Sequence, residues 1–115
     1  MTADIRFRLR VDIDHKPAIG PGKIALLEAI IETGSISAAA RKLEMSYRRA
    51  WLLIDDINHQ LKEPAVLRTK GGRLGGVSEL TDSGKHLVKL YRDIERKATA
   101  EARSDIRALT KLLAG

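Results

Sequence analysis

Two consecutive arginines, Arg48 and Arg49, stand in the first turn of a predicted helix. Basic side chains at a helix N-terminus oppose the helix dipole, so such a pair is unfavourable unless an anionic partner compensates it. The N-terminal residues of a DNA-reading helix reach base edges in the major groove, where arginine binds guanine through two hydrogen bonds. A solvated first turn is the alternative. We favour DNA contact, and the same turn presents Ser46 and Tyr47.

A second basic cluster lies in a glycine-rich segment, residues 69–81. Gly71 and Gly76 have the interval of a phosphate-binding P-loop, but no lysine follows, and the dinucleotide pattern G-x-G-x-x-G is also missing. Both flanks resemble strands, which argues against a free linker. The segment therefore predicts a β-hairpin wing that lies along the DNA backbone and adds affinity without sequence preference. The residues that we expect to contact DNA there are Lys70, Gly71, Gly72 and Arg73.

The arginines must be positioned by two short helices on either side of a turn at residues 44–46. Ala40 falls where two crossing helices need a small side chain. Ser35 or Ser37 can cap the first helix and Ser46 the second, and both serines of the first helix are predicted to face DNA. The spacing is typical of a helix-turn-helix, although an ordinary helical hairpin would also suit it. The apolar contacts are predicted to come from Ala39, Leu43, Met45, Ala50 and Leu53.

The other elements follow from periodicity. Strict alternation over residues 5–13 predicts a half-buried strand with an arginine face, and "KPAIGPG" then breaks the chain. Residues 23–33 predict a helix that ends at Gly34, with Ile24, Leu27, Ile30 and Ile31 on its inner face. Residues 65–69 and 77–80 predict two short strands. The predicted fold is mainly α with a small β-hairpin (α+β), a winged helix-turn-helix over residues 1–81.

A last helix, capped by Thr81, is predicted to continue over residues 82–115. At 1.5 Å per residue it would extend about 48 Å, beyond what so small a domain can cover, so its apolar seam predicts a homodimer. The alternative is a helix that breaks near Thr99 and folds back on its own domain. The predicted dimerisation residues are Leu87, Tyr91, Ile94, Ala98, Ala102, Ile106 and Leu109.

Composition narrows the function class. The chain has 115 residues, a formal net charge of +6 and a pI near 9.9, which favours a polyanionic partner. Zero cysteines exclude a disulfide scaffold and thiolate-bound zinc. No signal peptide or membrane span is evident, so we expect a cytoplasmic protein without a membrane partner. The three histidines are scattered and no nucleophile–base pair is suggested, so we expect neither a metal site nor an enzyme.

The combination of "GSIS", "SYRRAW", "GGRLGG" and "LTDSG" closely resembles the N-terminal DNA-binding domain of ModE-type molybdate-responsive regulators, over residues 7–91. LysR-type regulators share part of the pattern but lack the leading strand, the "SYRRAW" turn and the double-glycine wing. The resemblance implies a winged helix-turn-helix, a homodimer and a palindromic double-stranded DNA operator. It also implies a repressor-type regulator linked to molybdenum metabolism.

Three departures qualify the resemblance. Glu44 stands where the family usually has glycine, and Leu74 interrupts the usual glycine run. The family's molybdate-binding C-terminal domains have no counterpart in these residues. We therefore expect no cofactor, and a separate molybdate-binding protein is a candidate partner. Protein–protein contact by a winged helix and non-specific architectural DNA binding are the alternative functions.

Overall fold

The computed structural model describes residues 2–68 and 78–114. Its elements, in chain order, are β1 (Val11–Ile13), β2 (Lys16–Ile19), α1 (Pro21–Thr33), α2 (Ile36–Lys42), α3 (Tyr47–Gln60), β3 (Val66–Arg68), β4 (Ser78–Leu80), α4 (Asp82–Glu101) and α5 (Arg103–Lys111). The strands form two separate antiparallel pairs, β1–β2 and β3–β4. The predicted fold class is confirmed: helices dominate, and the β3–β4 hairpin lies beside α1–α3 as a wing.

The N-terminal prediction is wrong over most of its length. Residues 2–10 form neither helix nor strand, and β1 covers only three residues. The segment predicted as a break instead contains β2, because Asp14 and His15, with φ values of 52° and 64°, turn the chain back on itself. Val11 and Ile13 remain 45% and 48% exposed, since nothing among the described residues covers that face of the two-stranded hairpin.

Helix α1 is the centre of the core. It ends as predicted at Gly34, whose φ of 77° is left-handed and whose N–H donates to the Ile30 carbonyl over 2.8 Å. Its inner face was only partly predicted, because Ile31 is 54% exposed while Leu26 is fully buried. The buried arc is wide because α2, α3, α4 and β4 all pack against this helix.

The last helix begins as predicted, with the Thr81 hydroxyl accepting a hydrogen bond from the Gly84 N–H. It is not continuous: α4 ends at Glu101, and α5 follows after a single residue, Ala102. The break lies three residues beyond Thr99, where the alternative placed it, but no residue of α5 is buried, so α5 does not pack into the core of its own domain. The chain accordingly extends 56 Å along its longest axis against 30 and 24 Å along the others.

Two residues predicted for the dimer seam belong to the protomer's own core. Tyr91 is 3% exposed, and its hydroxyl donates to the Leu9 carbonyl. Leu87 packs against the same core, partly buried. The reason is geometric: the first turns of α4 lie against α1 and the wing strand β4, so the inner face of α4 is already occupied.

Candidate nucleic-acid interface

Helices α2 and α3 approach each other through alanines. Ala39, Ala40 and Ala50 are at most 2% exposed, which allows the two backbones to come close. Between the helices, Glu44 adopts a left-handed φ of 57°, and the Met45 N–H donates to the Ala40 carbonyl over 3.0 Å. The chain therefore makes the tight turn that glycine usually provides, at a conformational cost of roughly 1 kcal/mol.

Serine side chains fix where both helices begin. The Ser35 hydroxyl accepts from the Ala38 N–H over 3.0 Å, and the Ser46 hydroxyl accepts from the Arg49 N–H over 3.1 Å. Of the two predicted caps of α2, Ser35 is therefore the one used. Ser37 lies exposed in the first turn of α2 instead. Each cap satisfies an otherwise unpaired amide.

The predicted arginines open α3 and point to solvent. Arg48 and Arg49 are both exposed, and within residues 2–68 and 78–114 neither guanidinium has a hydrogen-bond or ion-pair partner. Tyr47 precedes them, with half of its surface exposed. Two positive charges are therefore concentrated at the N-terminal end of the helix, where the helix dipole adds to the positive potential.

An open groove of about 460 Å³ runs along this side of α3. Its lining includes Leu52 and Leu53, and its charge changes sign along the helix, from the arginines of the first turn to the aspartates of the third. Asp56 lies 3.7 Å from the Lys23 ammonium, and Asp55 lies 3.6 Å from the His59 ring. Only the first two turns of α3 can therefore face a polyanion without repulsion. The residues that line the groove are Ser46, Arg48, Arg49, Leu52, Leu53, Asp55 and Asp56.

The wing is attached to the inner side of α3 by a residue that the sequence analysis missed. The Asn58 carboxamide accepts from the Ala65 and Val66 N–H groups, over 2.8 and 3.2 Å, and donates to the Val66 carbonyl. On the other edge, the Ser78 N–H donates to the Gly34 carbonyl over 3.0 Å. The signal in the sequence is an amide beside the buried Ile54 and Ile57 on α3, where a partly buried polar group needs partners.

The tip of the wing lies outside the described residues, and so do Lys70, Gly71, Gly72 and Arg73. The two strands that lead to it are described. Val66 pairs with Leu80, Leu67 with Glu79 and Arg68 with Ser78, in antiparallel register. This pairing confirms the predicted hairpin.

Comparison with known proteins places the chain in a family. Residues 22–85, which include the helix-turn-helix and the wing, match the family described as bacterial regulatory helix-turn-helix protein, lysR family. The chain belongs to this family.

The described part of this LysR-family chain has no cluster of three histidine or acidic residues that could hold a metal ion. None of its helices in residues 2–68 and 78–114 has the length and apolar character needed to cross a membrane.

Two curated relatives with the name ModE match this chain in sequence, as the sequence motifs predicted. The molybdenum transport protein ModE of Azotobacter vinelandii is 44% identical over 88 residues, which are 76% of this chain and 33% of that protein. The transcriptional regulator ModE of Yersinia pestis is 38% identical over an alignment 117 residues long, which covers 99% of this chain and 44% of that protein. The resemblance is confirmed, and the chain spans less than half the length of these relatives.

Solved structures agree at the level of the fold. The full-length LysR-type regulator LysG from Corynebacterium glutamicum, with bound effector Arg, has a TM-score of 0.59 at 21% identity. It covers 83% of this chain, which in turn covers 30% of that chain. ArgP from Mycobacterium tuberculosis has a TM-score of 0.53 at 25% identity, covering 79% of this chain and 30% of that one. Both likenesses support the winged helix-turn-helix fold.

Proposed function

We propose that this chain is the DNA-binding part of a transcriptional regulator linked to molybdenum, and that it is not an enzyme. The observation that carries the proposal is the pair of exposed arginines without partners among the described residues, at the first turn of the second helix of a LysR-family helix-turn-helix. The ModE relatives supply the link to molybdenum. The site of action of such a protein is the cytoplasm, where bacterial DNA is found.

The proposed binding mode places the start of α3 in the major groove. Arg48 and Arg49 contact base edges there, and guanine is the base whose two acceptors suit arginine best. Ser46 and Tyr47 contact the flanking phosphates, as do Ser35 and Ser37 at the start of α2. The wing tip, with Lys70, Gly71, Gly72 and Arg73, lies along the neighbouring backbone.

A homodimer on a palindromic operator is part of the proposal. On α4 and α5 the apolar side chains that are not in the core include Ile94 and Leu109, which are 50% and 55% exposed. Ala98, Ala102 and Ile106 lie between them along the two helices, partly buried. A twofold pairing of these helices would set two α3 helices about 34 Å apart, at successive major grooves. Sedimentation at micromolar concentration tests this, and a monomer would contradict it.

The decisive experiment is selection of bound sequences from random duplex DNA at fixed salt concentration. We expect a twofold-symmetric motif. Arg48→Ala and Arg49→Ala should each lower affinity for that motif by about 5- to 150-fold, the value of a good arginine–guanine pair. Arg107→Ala, which removes an exposed arginine of α5, is the matched control and should change neither affinity nor preference.

The same experiment separates the alternative functions. Arg73→Ala should weaken binding to specific and random duplexes equally, since a backbone contact carries no sequence information. If the Arg48 and Arg49 variants behave in the same way as Arg73→Ala, the chain is an architectural DNA-binding protein. If no duplex is bound, protein–protein contact is favoured. A separate molybdate-binding protein remains the proposed source of any response to molybdate.

A further inference from the structure

Leu52 is an exposed apolar residue of the groove on α3, between the arginines of the first turn and the aspartates of the third. It is 54% exposed and lies outside the hydrophobic core, whereas its neighbour Leu53 packs against that core. Leu52 follows Arg48 by four residues, so the two side chains are neighbours on the helix surface. Both line the same groove of about 460 Å³. Within residues 2–68 and 78–114, Leu52 therefore presents an apolar surface beside Arg48 without belonging to the core.

The shape of the major groove fits this position. Four residues are about one helical turn, so Arg48 and Leu52 lie on the same side of α3. The major groove is about 12 Å wide and admits an α-helix, so a helix that turns Arg48 towards the base edges turns Leu52 towards them as well. The aspartates one turn later, Asp55 and Asp56, would meet phosphates if the helix entered further. Leu52 is thus the last side chain of this stripe that can reach a base.

Base chemistry then selects the contact. A leucine offers no hydrogen bond, and among the four bases only thymine presents a methyl group in the major groove. The two arginines of the first turn attract the polyanion, and contact of the helix with the groove removes water from around the leucine. The arginines and Leu52 therefore favour neighbouring base pairs, one with guanine and one with thymine.

We propose that Leu52 is a specificity-determining residue that selects thymine through its C5-methyl group, beside the arginines that contact guanine. This inference rests on the proposed function, because it requires that α3 enters the major groove. It adds a second kind of recognition, by apolar contact, at a position that the sequence analysis did not single out.

The test replaces thymine by deoxyuridine, which lacks only the methyl group. Once selection has given the preferred duplex, each thymine of one half-site is replaced in turn, and the dissociation constant is measured for the native chain and for Leu52→Ala. For the native chain we expect one position at which loss of the methyl group weakens binding about fourfold, the effect of one methyl group withdrawn from water. For Leu52→Ala the same replacement should have no effect.

Two variants serve as controls. Leu52→Met keeps an apolar side chain of similar volume, so it should retain the dependence on the methyl group. Ile31→Ala removes an aliphatic side chain of equal exposure, 54%, from α1, outside both the helix-turn-helix and the wing, and it should leave the native pattern unchanged. Because Leu52 is exposed, the free energy of unfolding of Leu52→Ala should match that of the native chain.

The outcomes separate this inference from the proposed function. In one outcome a motif is selected, but removing the methyl group of each of its thymines weakens binding equally for the native chain and for Leu52→Ala. That result overturns the role of Leu52 and leaves DNA recognition intact. A chain that selects no motif overturns both. A methyl effect that is lost in Leu52→Ala and kept in Leu52→Met and Ile31→Ala supports the proposal.

Discussion

Among the glycines within residues 2–68 and 78–114, Gly84 is the one at which an added Cβ would meet the closest neighbouring atoms. It occupies the first turn of α4, where that helix meets the start of the wing. A Cβ atom there would lie 2.2 Å from the Ala65 carbonyl oxygen, and the next nearest atoms, at 3.0 and 3.1 Å, also belong to the Ala65 backbone. Since all three are main-chain atoms, no side-chain rotation can relieve the clash.

The size of the effect follows from this geometry. Ordinary contact begins near 3.4 Å, so α4 and the wing must separate by about 1.2 Å. That movement breaks the hydrogen bond from the Thr81 N–H to the Ala65 carbonyl, now 2.9 Å long, at a cost of about 1 kcal/mol. Overpacking adds roughly 1–3 kcal/mol, while the better helix propensity of alanine returns up to about 1 kcal/mol. We therefore expect Gly84→Ala to lower the free energy of unfolding by about 2 kcal/mol.

The assay is urea unfolding followed by circular dichroism, with all variants at one protein concentration because a dimer couples stability to concentration. Gly22→Ala is the matched control, because it also lies in the first turn of a helix but has no atom within 4 Å of an added Cβ. It should be neutral, or more stable by up to about 1 kcal/mol. A Gly84→Ala protein as stable as Gly22→Ala would refute the close approach of α4 to the wing.

Three further predictions concern strain and charge. His15→Gly should raise the free energy of unfolding by about 1 kcal/mol in urea titration, because φ is 64° there; an unchanged midpoint would contradict the turn. Glu44→Gly, with φ at 57°, should give a similar gain, and a loss would show that the carboxylate has a structural role. Hydrogen bonds from Lys89 and Arg96 lower the pKa of Asp93, so this carboxylate stabilises the fold above its unfolded pKa and the effect is lost as pH falls through the folded value. Asp93→Asn should therefore reduce the loss of stability between neutral pH and about pH 3, and an unchanged pH dependence would argue against the ion pairs.

Local signals in the sequence were sufficient to predict helix ends where a single residue type caps or terminates the helix. Gly34, Ser46 and Thr81 were predicted to end or begin helices, and each does so through the expected conformation or hydrogen bond. These positions depend only on the backbone amides and carbonyls of the nearest turn. These helix ends could therefore be predicted without knowledge of the tertiary structure, whereas α1 begins at Pro21, two residues before its predicted start.

Predictions that depended on what lies opposite a residue were less successful. Alternation over residues 5–13 does not reveal that Val11 and Ile13 stay about half exposed, or that Asp14 and His15 adopt left-handed conformations to form a hairpin. Helical spacing placed Tyr91 on an outer seam, although the fold uses it to bind the Leu9 carbonyl. Periodicity identifies an apolar face, but it contains no information about what covers that face or where the chain turns.

The proposed binding site shows why its arginines can remain exposed. The inner face of α3 makes the structural contacts: Asn58 binds the first strand of the wing, and Gln60 accepts from the Lys23 ammonium, which also donates to the Ala18 carbonyl. These bonds fix the orientation of α3 relative to the wing and to the N-terminal hairpin. Within residues 2–68 and 78–114, Arg48 on the outer face has no hydrogen-bond or ion-pair partner and Leu52 is not part of the core, so under the proposed function changes there can alter which DNA is bound while the fold stays the same.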